Sequence, residues 1–365
     1  MQTYQQFING SLVDSHSTDW LEVENPYTNE IIARAPKGDA EDANRAVEAA
    51  KAAQPAWAKW APVARAAYLK QFAELIRANR VELATTLAKE QAKIMPLAQV
   101  EIDVTAEYFD YYAGWARIYE GEIINSDDPR ENILLFQKPI GVVAGICPWN
   151  FPFFVMARKV APALLTGCSI VLKPSSNTPA TTFEFAKLVA GLDLPAGVLN
   201  FVSGGGATLG DALVKHPDVD MVSLTGSVEA GVQIMHNAAD KIMKTSLELG
   251  GKAPAIVFPD ADIDLAVKGV TDSRLIYSGQ VCNCCERVYV HADVYDEFVA
   301  KLKVAFEESA VGDPFADPTP AYSSQIDKAQ LEKIDGMVQR AVAAGAEVLT
   351  GGKPTWAPAT STPPP

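Results

Sequence analysis

The chain of 365 residues has no basic run to offset a formal net charge of −14. Such a surface repels phosphate backbones and anionic headgroups, which argues against nucleic acid and membrane surfaces as partners. Histidine and cysteine are scarce, at four and five residues. The cysteines are odd in number and fall as Cys147, Cys168 and the cluster Cys282, Cys284 and Cys285. That is a poor disulfide framework, and it points to a reducing, cytoplasmic compartment. Zinc wants two separated ligand pairs, and no second Cys or His pair accompanies Cys284 and Cys285, so no metal is expected. The N-terminus has no basic segment leading into an apolar one, so no export signal is expected. The longest uncharged run, Ile140 to Ala157, is broken by Pro148, Asn150 and Pro152 and closed by Arg158 and Lys159. It reads as buried strand and turn rather than a membrane span. No internal repeat is found.

What is present is 48% apolar content, enough to bury a large core in about two domains. Phe7 to Ala35 alternates apolar and polar residues around Asn9-Gly10 and Asn25-Pro26, as small hairpins do. Helical spacing follows: Asp39 caps a segment to Ala53, a second helix runs from Ala66 to Gln91, and a third from Leu97 to Tyr119. Their aromatics Tyr108, Phe109, Tyr112 and Trp115 read as a core stripe. Glu120 to Pro139 reads as a hairpin arm whose apolar strands need a partner surface, hence self-association. From Gly141, β-branched runs alternate with helices, which predicts a parallel sheet covered on both faces with ligands at the carboxyl ends of its strands.

Two stretches carry the chemistry. Ser278-Gly279-Gln280-Val281-Cys282-Asn283-Cys284-Cys285-Glu286 offers a thiol, and Leu247-Glu248-Leu249-Gly250-Gly251 a carboxylate. Acyl chemistry needs a thiolate and then a base to bring in water, so a Cys and a Glu on separate Gly-flanked loops suit one another. Each also has a plainer reading. A Cys beside Gly packs as a small hydrophobe, and a loop Glu is often capped or paired. Asn150 between two prolines serves equally as a turn residue. Lys173, Arg158 and Lys159 read as solvated charges, and Gly204-Gly205-Gly206 with Gly210 is a weak dinucleotide signal alone.

Five motifs taken in order change the weighing: Pro148-Trp149-Asn150-Phe151-Pro152, Lys173-Pro174-Ser175, Thr225-Gly226-Ser227, Leu247-Glu248-Leu249-Gly250-Gly251 and Gly279-Gln280-Val281-Cys282. Together they resemble the aldehyde dehydrogenase superfamily from about Phe7 to Gly352. Tyr119-Glu120-Gly121-Glu122-Ile123-Ile124, Glu131-Asn132-Ile133-Leu134-Leu135-Phe136 and Gln280-Val281-Cys282-Asn283-Cys284 are similar to its lactaldehyde and glycolaldehyde dehydrogenase branch. The resemblance implies an α/β fold with a Rossmann-like NAD(P)-binding domain over 1-119 and 140-247, a β-hairpin oligomerisation arm at 120-139 and an α/β catalytic domain over 248-353. It implies that Cys282 is the nucleophile, that Asn150 and the Cys282 N–H hold the oxyanion, and that Glu248, in a partly apolar pocket, activates water. NAD or NADP would be held by Trp149, Lys173, Ser176, Gly206, Gly210, Gly226, Ser227 and Gly231. Many NAD-preferring relatives place a Glu at the position of Ser176, so NADP is expected to be accepted. Arg158 is a candidate substrate contact.

The implied activity is oxidation of small hydroxyaldehydes to acids through a cysteine thioester. The alternatives are a CoA-acylating semialdehyde dehydrogenase and an inactive fragment that keeps nucleotide binding. Full-length relatives are expected to be homo-oligomers, and they continue past Gly352 with further catalytic-domain sequence. Here 354-365 is a low-complexity, non-family tail, so the catalytic domain is expected to be incomplete, with exposed apolar surface and unpaired strand edges. The codons implied by Trp356 to Pro363, read two bases further on, permit Gly-Thr-Gly-His-Phe-Tyr-Pro, which points to a frameshift.

Overall fold

A computed structural model describes residues 1–354. After the short β1 (Gln2–Thr3), Asn9 and Gly10 both take left-handed backbone, with φ 53° and 78°. A two-residue hairpin turn demands that pair, and it joins β2 (Gln6–Ile8) to β3 (Ser11–Val13). β4 (Trp20–Glu24) and β5 (Ile31–Pro36) form a small sheet with β1 in the order β1-β5-β4. Asp39 caps α1 (Ala40–Trp57) by accepting from the N–H groups of Glu41 and Asp42, while Asp42 accepts from the Asp39 N–H. The helix runs on past Ala53, through Pro55, to Trp57.

The single helix expected from Ala66 to Gln91 is two, α2 (Pro62–Ala78) and α3 (Arg80–Gln91). Asn79 ends the first, since its backbone leaves the helical region (φ −113°, ψ 23°) and its side-chain amide donates to the Leu75 carbonyl at 2.8 Å. α4 (Met95–Gly114) gives way to a short tight turn at Trp115–Arg117. β6 (Glu122–Asn125) and β7 (Asn132–Leu135) pair antiparallel as an arm whose every strand residue is exposed.

The chain then alternates through β8 (Val142–Ile146), α5 (Pro152–Leu165), β9 (Ser169–Lys173), α6 (Ala180–Val189), β10 (Leu199–Phe201), α7 (Asp211–Lys215), β11 (Met221–Gly226), α8 (Val228–Ala239) and β12 (Lys244–Leu249). The sheet runs β12-β11-β8-β9-β10, all parallel, and is extended antiparallel by β2 and β3. β8 is central, two strands are added on one side, and the chain returns to add two on the other, which is doubly wound, Rossmann-like topology. β9 is buried along its whole length, as a parallel strand covered on both faces must be. Val142, Ala144, Val171 and Val222 pack with residues of α1, α7 and α8 in one cluster. Among the aromatics, Phe153 of α5 meets Phe185 of α6 edge-on at 5.7 Å, and Phe185 meets Phe201 of β10.

The chain divides into two compact units, one of Met1–Val23, Ala33–Ala84 and Gln99–Leu249, the other of Glu24–Ile32, Thr85–Ala98 and the chain from Gly250 onward. The second holds β13 (Ala253–Val257), α9 (Ile263–Leu275), β14 (Cys285–Val290), α10 (Tyr295–Glu307) and α11 (Lys328–Ala343). β13 and β14 pair in parallel, and Val257, Val267, Val270 and Phe298 form the core they share with α9 and α10. The tail Thr355 to Pro365, and with it the frameshift reading, lies outside the described residues. Among those described, no helix is long and apolar enough to cross a membrane.

Candidate active site

The parallel strands of the first unit end along one edge of the sheet. Ile146 pairs with both Lys173 and Leu224, and Thr225 pairs with Glu248, so the residues that follow β8, β9 and β11 share that edge with the end of β12. The point where strand order reverses lies between β8 and β11, and open α/β sheets bind ligands at such a point. Trp149 and Asn150, both half-buried, stand on the turn from β8 into α5. The Asn150 Oδ1 accepts from the Phe151 N–H at 3.0 Å, so the other end of the carboxamide, the NH2, is the donor it can offer an oxyanion.

Lys173 is not a solvated loop lysine. It is 4% exposed, and its Nζ donates to the Pro174 carbonyl at 3.2 Å. Burial pulls its pKa down to about 8. The Ser176 hydroxyl donates to the Gly204 carbonyl at 3.0 Å and so ties the turn after β9 to the turn after β10. A Cβ on Gly204 would sit 2.5 Å from the Gly38 carbonyl oxygen, an approach only glycine permits. The next residues, Gly206 to Gly210, form one turn of wide helix; Gly206 is exposed with open space around it, and Gly210 is buried. Gly226 leads to Ser227, which caps α8 by accepting from the Ala230 N–H at 3.1 Å. Gly231 is buried, and a Cβ there would come within 2.9 Å of both Leu249 methyl groups, so its visible duty is to let α8 close on β12. Backbone amides at a helix start, a buried cation and an open glycine turn on one sheet edge are donors of the kind a dinucleotide takes.

Two further residues behave differently from expectation. Leu247 to Gly251 is not wholly a loop, because β12 adds to the open edge of β11 and carries Glu248 to the strand's end. As an edge strand it leaves Glu248 exposed rather than in an apolar pocket. Lys159, expected as a solvated helix charge, is 5% exposed, and its Nζ donates at 3.0 Å to both the Ser223 and the Thr225 hydroxyls of β11. Burial pulls its pKa to about 8, with the Arg158 charge adding to the drop and the Glu248 carboxylate opposing it. Gly145, whose Cβ would lie 3.4 Å from the Lys159 Cδ, makes room for that stem. The signal available in sequence was this glycine inside a buried strand. Cys147 is itself buried, and burial pushes its thiol up to about 12, so it stays protonated and is no nucleophile.

Arg158, the neighbour of Lys159, is exposed, with its guanidinium 5.9 Å from the centre of the Phe154 ring. Of the four aromatics expected in the core, only Phe109 is there. Tyr108 packs tilted against Tyr112 at 5.1 Å and edge-on to Phe154 at 5.5 Å, while Trp115 is exposed, so a half-open aromatic patch adjoins Arg158. Another contributor without a local signal is Gln6. Its side chain both accepts from the Ser203 N–H and donates to the Ser203 carbonyl, pinning the glycine turn from 197 residues away.

In the second unit Cys282 is exposed, on the turn before β14. Tyr277, Ser278 and Gly279 precede it in left-handed backbone, at φ 45°, 57° and 75°. Non-glycine residues hold that conformation only when their surroundings impose it. Here the buried Tyr277 donates to the Gln91 carbonyl at 3.0 Å beneath the Lys93 ammonium, 4.5 Å from the ring centre. The Ser278 hydroxyl donates to the Ser323 carbonyl at 2.8 Å, and Gln280 accepts from the Ile326 N–H at 2.9 Å. Cys284 and Cys285 are buried, Cys284 with its sulfur 3.3 Å from the Arg274 guanidinium.

Comparison with known proteins adds to this geometry. The model of the aldehyde dehydrogenase family matches residues 12–362, beyond Gly352, where the resemblance read from sequence stopped. The lactaldehyde dehydrogenase of Escherichia coli (strain K12) is 50% identical over 350 residues, 96% of this chain and 73% of that protein. A solved lactaldehyde dehydrogenase superposes with a TM-score of 0.96 at 49% identity, over 99% of this chain and 76% of the other. A 3,6-anhydro-L-galactose dehydrogenase solved in complex with NAP has a TM-score of 0.94 at 41% identity, over 98% and 75%.

Proposed function

The chain belongs to the aldehyde dehydrogenase family, and on that premise we propose that it oxidises small hydroxyaldehydes, such as lactaldehyde or glycolaldehyde, to carboxylic acids with NAD or NADP. The observation that carries the substrate class is the 50% identity to lactaldehyde dehydrogenase along nearly the whole chain. Two features support it: the exposed thiol of Cys282 and the exposed Arg158 beside Phe154. The Cys282 thiolate attacks the aldehyde carbon and forms a thiohemiacetal. Its oxyanion accepts from the Asn150 NH2 and the Cys282 N–H, and one such donor is worth about 100-fold to 1000-fold in rate. The nicotinamide, when bound, supplies the hydride acceptor. Loss of hydride leaves a thioester on Cys282, and Glu248 takes a proton from the water that attacks it, releasing acid and thiolate.

Within this reading 1-119 and 140-247 bind the cofactor and 248-353 carries the nucleophile. Trp149, Lys173, Ser176 and the turns at Gly206, Gly210, Gly226 and Ser227 contact the nucleotide. Ser176 brings no charge to repel a 2′-phosphate, so NADP is used as well as NAD. The exposed Ile123, Leu134 and Phe136 on and beside the arm support a homo-oligomer, and the reduced cysteines a cytoplasmic setting. The test is steady-state reduction of NAD and of NADP with glycolaldehyde and lactaldehyde, beside Cys282→Ala. Turnover with either nucleotide that Cys282→Ala abolishes supports the proposal. Acyl-CoA formed only with added CoA moves the chain to thiol transfer, and nucleotide binding without turnover makes it a binding module.

A further inference from the structure

We propose that Glu101 is a positioning residue for the reaction, holding the turn that carries Trp149 and Asn150 by capping α5 from α4. This rests on the role of Asn150 proposed above. The Glu101 side chain is fully buried, at 0% exposure, which a carboxylate tolerates only when its oxygens are engaged. Its Oε1 accepts from the N–H groups of Phe153 and Phe154 at 3.0 and 3.2 Å. These are first-turn donors of α5, which a cap side chain ordinarily satisfies. Phe151 stands at the cap position with no polar side chain to offer, and Pro152 follows it with no N–H to satisfy.

A local Ser or Asp at position 151 would cap the helix equally well. What it could not do is tie the helix start to a second element, whereas a carboxylate from α4 fixes where the first turn of α5 sits. Glu101 is in turn steadied by the Thr105 hydroxyl, which donates to its backbone carbonyl at 2.6 Å. Only Phe151 separates Pro152 from Asn150, and the Phe151 N–H donates to Asn150 Oδ1. Any shift of the first turn of α5 is therefore passed to the oxyanion donor.

The experiment contrasts Glu101→Asp, which keeps the charge but withdraws the acceptor by one methylene, with Glu101→Gln, which keeps the reach and loses the charge. With glycolaldehyde and NAD, Glu101→Asp is expected to lower kcat about 10-fold to 100-fold, the cost of misplacing a catalytic group by about 1 Å. KM for NAD should move by less than about twofold. Glu101→Gln should stay within about fivefold of the parent, one hydrogen bond's net worth. Amide exchange at Phe153 and Phe154 should quicken in Glu101→Asp and not in Glu101→Gln, with Ser169 to Lys173 unchanged in both. In an Asn150→Ala background, adding Glu101→Asp should slow turnover no further. A full additional loss there, or Glu101→Gln slower than Glu101→Asp, overturns the proposal. Should the unmutated chain oxidise no aldehyde, it is the proposed function that fails, and the exchange contrast still decides whether Glu101 holds the turn.

Discussion

Lys159 and Tyr277 are both almost wholly buried and each supports a segment of the proposed site, but they do so at different kinds of cost. In the first unit regular strands and helices deliver the turns, and buried polar side chains pin them: Lys159 to β11, Gln6 to Ser203, Glu101 to α5. The turns after β8, β9 and β11 contain no left-handed residue, and the cost is desolvation of buried polar and charged groups. In the second unit the cost lies in the backbone, where three successive left-handed residues approach Cys282 and loop carbonyls around Ser323 hold them. Both are held by contacts from elsewhere in their own unit, but at the sheet edge the burden falls on buried side chains, whereas before Cys282 it falls on a left-handed backbone that Gln91, Ser323 and Ile326 hold in place.

The comparison sharpens most under pH. The pKa of Lys159 is lowered on folding to about 8, so between there and the ordinary lysine value the unfolded chain binds the extra proton and stability rises with pH. Below pH 8 the full cost is present; above about 10.5 it is gone. Lys173, shifted the same way, is common to both proteins when Lys159→Met is set beside the parent. The stability advantage of Lys159→Met should therefore shrink by about 3 kcal/mol between pH 7 and pH 10.5. Denaturant midpoints across that range measure it, and a difference that does not vary with pH would show that Lys159 is not buried as a charge.

Gly279 tests the other side. Its φ of 75° resists a side chain, and so does the Arg274 carbonyl oxygen, which would lie 3.1 Å from an added Cβ. Gly279→Ala should cost about 1–2 kcal/mol. The loss should appear as faster amide exchange from Ile276 to Cys285, with Ser169 to Lys173 unaffected. Equal quickening in both segments would mean that the turn is no separately held device.

How far this was readable in the sequence follows from the same division. The alternation from Val142 to Ala239 gave away the doubly wound sheet because parallel strands buried on both faces are continuously apolar. The candidate turns after β8, β9, β10 and β11 followed, since ligand-binding turns of such a sheet sit after its strands, whereas the Cys282 turn follows a helix and was legible only from its motif. What escaped were long-range decisions. Nothing near Gln6 says that β2 will join β10, and Glu101 and Lys159 look like any helix charges until the partner strand or helix is in place. Leu247 to Leu249 carries no strong strand signal of its own, and it became β12 because β11 had an open edge. The break at Asn79 was missed because helical periodicity carries across a side chain that hydrogen-bonds its own backbone.

Arg158 is the counterexample that tests whether burial separates supporting residues from reactive ones. It is the sequence neighbour of Lys159, carries the same charge and lies on the same helix, yet it is exposed against Phe154. Removing it leaves no buried partner unsatisfied, so Arg158→Leu should keep stability within about 0.5 kcal/mol at pH 10.5, where Lys159 has lost its charge. If its guanidinium donates to the hydroxyl of a hydroxyaldehyde, the preference in kcat/KM for glycolaldehyde over acetaldehyde should fall about fivefold, or about 1 kcal/mol. The two measurements belong together. Lost stability with unchanged preference would place Arg158 with Lys159 among the supports, whereas lost preference at full stability assigns it to the substrate.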